Sequence, residues 1–331
     1  MSRRGLIIGK FYPPHKGHKY LIDTAQSHVD ELHIVICQRR GEVPSGELRL
    51  SWLREIHPDA RVLLVNDDDF DPADSAFWAR QSIAWLGFTP DVVFTSEEYG
   101  DSFAACLGCQ HFPVDKARQV FRVSGSQVRN NPFACWNYLD PPVRGYYARR
   151  ICIVGAESTG KTTLARELAR HFKTVWIPEY GREVSERKLE LDGKYHWESN
   201  DFVEIAAMQC RLEDAAARQA NRILICDTDA FATTIWHQRY LGYKSAEVES
   251  IANSHRRPDL YLLTDVETPF VQDGTRDGES IREWMHNAFI TQLSASHRKF
   301  ILLSGSYADR LTQAIKYAEN CLGLETALTV A

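Results

Sequence analysis

Gly155-Ala156-Glu157-Ser158-Thr159-Gly160-Lys161-Thr162 follows the apolar run Ile151 to Val154 and leads into a helical stretch from Thr163 to Phe172. It fits G-x-x-x-x-G-K-[ST] in full, and the strand before it and the helix after it are the context in which that spacing builds a phosphate cradle. The glycines let the backbone turn so that successive N–H groups point into one concavity, and the helix N-terminus adds its positive end. Gly155, Glu157, Ser158, Thr159, Gly160 and Thr163 are therefore expected around a nucleotide. Lys161 should reach the outer phosphates and the Thr162 hydroxyl should ligate Mg2+.

The surrounding sequence extends this reading. Ile223 to Cys226 is an apolar strand that ends in Asp227-Thr228-Asp229, which places Asp227 in the Mg2+ shell with Asp229 beside the nucleotide. Glu179 follows the strand expected at Thr174 to Ile177, where a carboxylate could take a proton from a substrate hydroxyl; the plainer reading is a charge at a helix N-terminus. Asp273 to Arg282 is polar and glycine-bearing, and reads as a lid that brings Arg276 over a transferring phosphate, or as a solvated loop. These features point to a kinase rather than a motor or a GTPase.

Further strands are expected at Leu260 to Leu263 and Phe300 to Leu303, so the second half is a parallel α/β domain. The first half shows the same alternation, with strands at Leu6 to Gly9, Leu32 to Cys37, Val62 to Val65 and Asp91 to Thr95. Between them the pattern breaks at Asn130-Asn131-Pro132 and Asp140-Pro141-Pro142, which puts the boundary near residue 149 and the domains at 1–148 and 149–331. The 331 residues carry 39 Lys+Arg against 44 Asp+Glu, a net charge of -5, and 44% are hydrophobic. That composition excludes disorder and argues against bulk electrostatic binding of nucleic acid. No apolar run approaches the roughly 18 residues of a membrane span, and no signal peptide is evident, so a soluble, cytoplasmic protein is expected. Eight cysteines are scattered along the chain and suit reduced thiols. Cys106, Cys109 and His111 lack a fourth metal ligand, and Asp67-Asp68-Asp69 reads as a solvated loop and cap.

The first half has its own phosphate-type turn, Gly9-Lys10-Phe11-Tyr12-Pro13-Pro14-His15-Lys16-Gly17-His18. The prolines stiffen it, Gly17 permits close approach to a ligand, and His15 and His18 project from one helix start beside its positive pole. No further ligand completes a zinc site, so phosphate is the expected partner. This turn resembles the T/H-x-G-H signature of nucleotidyltransferases, in which the histidines stabilise charge on the α-phosphate without a covalent intermediate. Val123-Ser124-Gly125-Ser126-Gln127-Val128-Arg129 resembles the second signature of that superfamily, I-S-x-T-x-x-R, with Ser126 in place of threonine and expected to keep the hydroxyl and a helix cap. By that resemblance Ser124 and Ser126 bind the triphosphate, Arg129 holds its outer phosphates, and Gly9, Lys10, Phe11 and Gly17 lie at the site.

The order of Gly9-Lys-Phe-Tyr-Pro, Leu48-Arg-Leu-Ser-Trp-Leu, Asn131-Pro-Phe-Ala-Cys-Trp136, the phosphate loop, Glu179-Tyr-Gly-Arg-Glu183 and Asp227-Thr-Asp229 resembles the NadR family from Leu6 to the final helix. The resemblance implies a Rossmann-like nucleotidyltransferase domain followed by a P-loop kinase domain, with Mg2+ and with ATP as co-substrate. The kinase half would phosphorylate nicotinamide riboside to nicotinamide mononucleotide (NMN), and the transferase half would adenylylate NMN to NAD+ and pyrophosphate. Trp78 is the candidate to stack on nicotinamide in the first domain, and Arg49 reads as a structural helix residue. Family members carry a tryptophan ahead of the Glu-Tyr-Gly-Arg-Glu motif where this chain has Pro178, with Trp176 and Trp197 the candidates to replace that ring. Regulatory members carry an N-terminal helix-turn-helix, whereas this chain reaches its first strand by Leu6, so no repressor role is expected. A homo-oligomer is compatible with all of this. The alternatives are a transferase and kinase pair acting on another substrate, or a nucleotide sensor.

Overall fold

The computed structural model describes residues 2–192, 196–267 and 281–323. The chain divides into two compact units, Met1–Val143 and Arg144–Ala331. The first contains β1 (Arg4–Gly9), α1 (Lys16–Gln26), β2 (Glu31–Gln38), α2 (Gly46–Ile56), β3 (Arg61–Asn66), α3 (Ser75–Leu86), β4 (Val92–Thr95), α4 (Gly100–Leu107), β5 (Gln110–Pro113) and α5 (Gly125–Asn130). The division falls within α6 (Pro141–Tyr147). The second unit continues with β6 (Arg149–Val154), α7 (Lys161–His171), β7 (Trp176–Ile177), α8 (Tyr180–Asp192), α9 (Ser199–Ala217), β8 (Ile223–Asp227), α10 (Ala230–Leu241), α11 (Ala246–Ser254), β9 (Leu260–Thr264), α12 (Ile281–Ala295), β10 (Phe300–Leu303) and α13 (Tyr307–Cys321).

Each unit has one parallel five-stranded sheet, ordered β3-β2-β1-β4-β5 in the first and β10-β9-β6-β8-β7 in the second. In the first unit the two-residue period of the strands builds two cores. Ile7, Ile34, Ile36 and Phe94 face α1 and α2, while Leu6, Ile8, Val35, Cys37 and Val93 face α3 and α4. Both faces are covered, which is why these strands read as continuous apolar runs. Each fully buried Leu or Ile contributes roughly 1.5–3 kcal/mol.

In both sheets the first strand lies between neighbours reached in opposite directions, β1 between β2 and β4, and β6 between β8 and β9. Such a switch point opens a crevice at the carboxyl ends of the strands, where ligands bind in open α/β sheets. The Gly9 turn leaves β1 there, and the Gly155 loop leaves β6 there.

Two elements differ from the sequence reading. β5 was not expected, because it is a short edge strand whose partly exposed residues end in Pro113 and show no apolar run. β7 keeps only Trp176–Ile177 of the expected strand, an edge position paired to β8 on one side.

Candidate functional site

The phosphate loop of the second unit is held by its own polar groups. Gly155 has φ 146°, and a Cβ there would meet the Thr264 hydroxyl at 2.3 Å and the Thr264 carbonyl at 3.0 Å. Ser158 and Gly160 take left-handed φ values of 57° and 84°, turning the chain into α7. Thr159 donates to or accepts from Thr264 across 2.7 Å and bonds the Ala156 carbonyl at 2.9 Å. Arg310, on α13, donates to the Thr159 carbonyl at 3.1 Å. These contacts fix a backbone concavity at the start of α7, the geometry that favours an anion.

The sequence-predicted groups converge on it. Lys161 is buried and its ammonium donates to the Ala156 carbonyl at 2.8 Å. Thr162 donates to Asp227 Oδ2 at 2.5 Å, while Asp227 Oδ1 is buried without a hydrogen-bond partner. Burial raises the Asp227 pKa, against the pull of Lys161 and the Thr162 hydrogen bond. Among the described residues no group of three or more His, Cys, Asp or Glu side chains is poised to hold a metal. A hard divalent ion fits the Thr162 hydroxyl and the spare Asp227 oxygen, with phosphate oxygens and water completing its shell, as Mg2+ prefers.

Glu179 lines the same cavity, of about 90 Å³, with Glu157, Ser158, Lys161 and Arg182. Burial pushes its carboxyl up to about 7, with Lys161 opposing the shift and Asp227 adding to it. Gln209 holds this segment in place: its carbonyl accepts from Tyr180 N at 3.1 Å, and its amide donates to Thr228 O at 3.4 Å. Trp197, Phe202, Trp236 and Tyr240 form the apolar wall. Of the two tryptophans offered for the missing ring, Trp197 reaches the cavity, and Trp176 instead lies under Arg166, whose guanidinium is 5.3 Å from the ring centroid.

Several expected residues sit elsewhere. Asp229 caps α10, accepting from Ala232 N at 2.9 Å and from the Tyr261 hydroxyl at 2.6 Å, so it supports the helix behind the loop. Thr163 is exposed on α7 and does not line the cavity. Arg276 lies outside the described residues, as does most of the segment read as a lid. Arg282 is buried at the start of α12 and donates to Val266 O at 3.1 Å, a structural contact.

In the first unit a cavity of about 560 Å³ is lined by Gly9, Lys10, Phe11, Tyr12, His15, Gly17, His18, Thr95, Arg118, Ser124, Ser126 and Arg129. The two histidine rings stack with centroids 3.8 Å apart. His15 Nδ1 accepts from His18 N at 3.4 Å as the N-cap of α1, and Gly17 leaves room for its ring, which a Cβ would approach to 3.1 Å. His18 Nδ1 is buried without a partner. Burial lowers His15 to about 4, with Arg118 adding to the shift, and burial also lowers His18 well below its ordinary value, with His15 and Arg118 adding to it. Both imidazoles are therefore neutral at pH 7 and present N–H donors and lone pairs rather than fixed charge. Phe11 is buried behind His18, ring centroids 5.0 Å apart, with φ 46°.

The two motifs of this unit meet at Tyr12. Arg129 donates to the Tyr12 carbonyl and to Ser126 Oγ, the latter at 3.3 Å. Arg129 and Arg49 lie over the Tyr12 ring at 4.2 and 4.9 Å. Ser124 rather than Ser126 is the helix cap, its Oγ accepting from Gln127 N at 3.3 Å in a reciprocal capping box. Arg49 is fully buried and donates to Lys10 O at 2.5 Å and to Glu42 at 2.7 Å, and Glu42 also pairs with Lys10 at 2.6 Å. Sequence reading missed Glu42, Thr95 and Arg118, which no local motif marks.

Trp78 lines a neighbouring cavity of about 230 Å³ with Gly9, Lys10, Arg39, Asp67 and Tyr99. Its indole N–H donates to Asp71 O at 2.8 Å and its edge packs on Phe70 and Trp85. Asp67 is buried and paired with Arg39 at 3.2 Å, so the first of the three aspartates is a wall residue rather than part of a solvated loop. His111 is held by Asp101 at 2.7 Å and lies 3.0 Å from Thr95 Oγ1. No helix of the described residues is long and apolar enough to cross a membrane.

Residues 150–310 match a family described as an AAA domain. The chain is 30% identical to the Trifunctional NAD biosynthesis/regulator protein NadR of Escherichia coli (strain K12), over 96% of this chain and 83% of that protein. It is 31% identical, with the same coverage, to the protein of that name from Salmonella typhimurium (strain LT2). Two crystal structures of a NadR protein share the fold. One, in complex with NR, has TM-score 0.79 and 23% identity, covering 97% of this chain and 96% of that one. The other, in complex with NAD and AMP-PNP, has TM-score 0.78 and 23% identity, covering 98% of both chains.

Proposed function

The chain belongs to the NadR family of NAD biosynthesis proteins, and from that premise we propose that it makes NAD+ in two ATP-using steps, one in each unit. The second unit moves the γ-phosphoryl group of ATP to the 5'-hydroxyl of nicotinamide riboside, giving NMN and ADP. The first unit joins the NMN phosphate to the α-phosphate of another ATP, releasing pyrophosphate. The observation that carries this reading is the shared cavity of the second unit, in which a phosphate loop, a carboxyl of raised proton affinity and an aromatic wall face one another.

In the kinase step the loop N–H groups and Lys161 cradle the phosphates. Thr162 and Asp227 would hold Mg2+, which would supply neutralising charge for the phosphate oxygens. Glu179, once ionised, takes the proton of the 5'-hydroxyl as that oxygen attacks. The nicotinamide ring enters against Trp197, Trp236 and Tyr240, which replace the ring that Pro178 cannot supply. Arg276 would act over the transferring phosphate.

In the transferase step Arg129, Ser126 and Lys10 bind the triphosphate, and the Lys10–Glu42 pair opens to release the ammonium. His15 and His18 donate N–H groups to the α-phosphate as the NMN phosphate attacks in line, and no covalent intermediate forms. The cavity beside Trp78 receives nicotinamide. Acting on small molecules, the protein needs neither nucleic acid nor membrane, and we assign it to the cytoplasm.

Separation of the two steps tests this. Lys161→Ala should abolish phosphorylation of nicotinamide riboside while adenylylation of supplied NMN continues, and His18→Ala should do the reverse. Loss of both reactions in either variant would overturn the assignment of one step to each unit.

A further inference from the structure

The wall between phosphate loop and aromatic pocket contains an ion pair that the chemistry above does not use. Arg239, on α10, bonds the Glu157 carboxylate, and their side chains are only 4% and 10% exposed. Its guanidinium carbon also lies 4.6 Å from the Tyr240 ring centroid and 5.2 Å from that of Trp236. One side chain thus touches the loop that holds the donor and the two rings that line the acceptor pocket.

Three physical points give this placement a role. A buried guanidinium presents a rigid planar fork that can grip a carboxylate and stack on rings at once, which a lysine cannot do. An ion pair this enclosed is strongly orienting, because breaking it leaves a desolvated charge. Glu157 and Glu179 line the same cavity, and the Glu157 charge acts on Glu179, so losing the Arg239 guanidinium would strengthen its repulsion of the group that must hold the acceptor hydroxyl. Arg239 is not itself among the residues that line the cavity, so it acts through those that do.

We propose that Arg239 is a positioning residue for phosphoryl transfer: by clamping Glu157 and underlying Trp236 and Tyr240, it fixes the phosphate loop and the acceptor pocket in one register. The inference rests on the kinase reading of this unit. Phosphoryl transfer depends on bringing acceptor oxygen and phosphorus within near-attack distance, so a loosened register costs rate even when each substrate still binds. The loop N–H groups and Lys161 persist without Arg239, so ATP binding should change little.

The test is steady-state kinetics of the full chain with Mg2+, ATP and nicotinamide riboside for Arg239→Gln, Glu157→Gln, the double variant and Arg239→Lys. Each single neutral variant should lower kcat about 10- to 100-fold and raise the acceptor KM severalfold, with the KM for ATP within about twofold. The double variant should be no worse than the poorer single one, because residues acting as one unit are not additive. Arg239→Lys should recover part of kcat but keep the raised acceptor KM, since charge returns without the planar stack. Adenylylation of supplied NMN by the same samples, in the other unit, checks that the chain is intact. If Arg239→Gln fails to fold, the double variant, which removes both charges of this pair, carries the test through its kcat and acceptor KM. Unchanged kinetics, additive losses, or a rise in both KM values together with falling thermal stability would overturn the inference. Glu179→Gln and Lys161→Ala tell the two levels apart: if they leave the kinase running, the reading of the site fails. If they stop it while the Arg239 variants match wild type, only the positioning role fails.

Discussion

The base role proposed for Glu179 makes the kinase step depend on pH. Its carboxyl is pushed up to about 7 by burial, with Lys161 opposing and Asp227 reinforcing the shift. A base must be ionised, so phosphorylation of nicotinamide riboside should fall as pH drops through about 7, by nearly tenfold for each unit below it. Initial rates of kcat/KM between pH 5.5 and 8.5 would show this, and a profile flat down to pH 5.5 would contradict the role. His15 and His18 are shifted the other way, their neutral forms favoured by burial. The adenylylation rate should therefore show no loss between pH 6 and 8 from a histidine giving up its proton. Removing the Glu179 carboxyl, as Glu179→Gln, should cost the kinase about 10²–10⁴-fold, measured against the unchanged adenylylation of the same sample.

The short helix α5 holds its place through one glycine. A Cβ on Gly125 would lie 2.3 Å from the backbone carbonyl of Tyr12, a contact that no side-chain motion can relieve. Gly125→Ala should push α5 away from the Gly9 turn and carry Ser126 and Arg129 off the phosphates. Adenylylation of NMN should drop by at least about tenfold, in line with the cost of small misplacements near reacting groups, while the kinase rate holds. Wild-type adenylylation in this variant would show that the close approach of the two motifs is not needed.

The same scale shows where sequence is legible. The phosphate loop, the histidine turn and the Asp227 strand could be read because each packs its chemistry into a few residues with a fixed local geometry. Trp236, Arg239 and Tyr240 share one face of α10, and Trp197 comes from the segment before α9, so the wall forms only where these two segments pack and no motif marks it. Ser126 was expected to cap α5 because a hydroxyl in that motif can do so, but the cap is Ser124, which precedes the glycine and takes the extended conformation a cap requires. Asp229 had the right neighbour for a nucleotide contact, yet it points back to Tyr261 and closes α10. The edge strand β5 escaped notice because an edge need not be apolar on both faces.

At the scale of the whole molecule, two parallel sheets each place one glycine-bearing turn, proposed to bind phosphate, at the carboxyl end of the first strand. The product of one proposed reaction is the substrate of the other. Metal removal should reach both, because each proposed step handles an ATP whose charge must be neutralised. Excess EDTA should stop phosphorylation and adenylylation alike, and added Mg2+ should restore them. Either reaction persisting in EDTA would contradict the metal role given to it.

The central claim is that this one chain carries out both steps of NAD+ formation from the riboside. It is tested most directly by incubating the purified protein with Mg2+ and ATP plus either nicotinamide riboside or NMN, and resolving the products by chromatography. The account predicts NMN and ADP followed by NAD+ and pyrophosphate from the riboside, and NAD+ directly from NMN. NAD+ from NMN alone would contradict the kinase acceptor assigned to the aromatic pocket, and neither product would contradict the account as a whole.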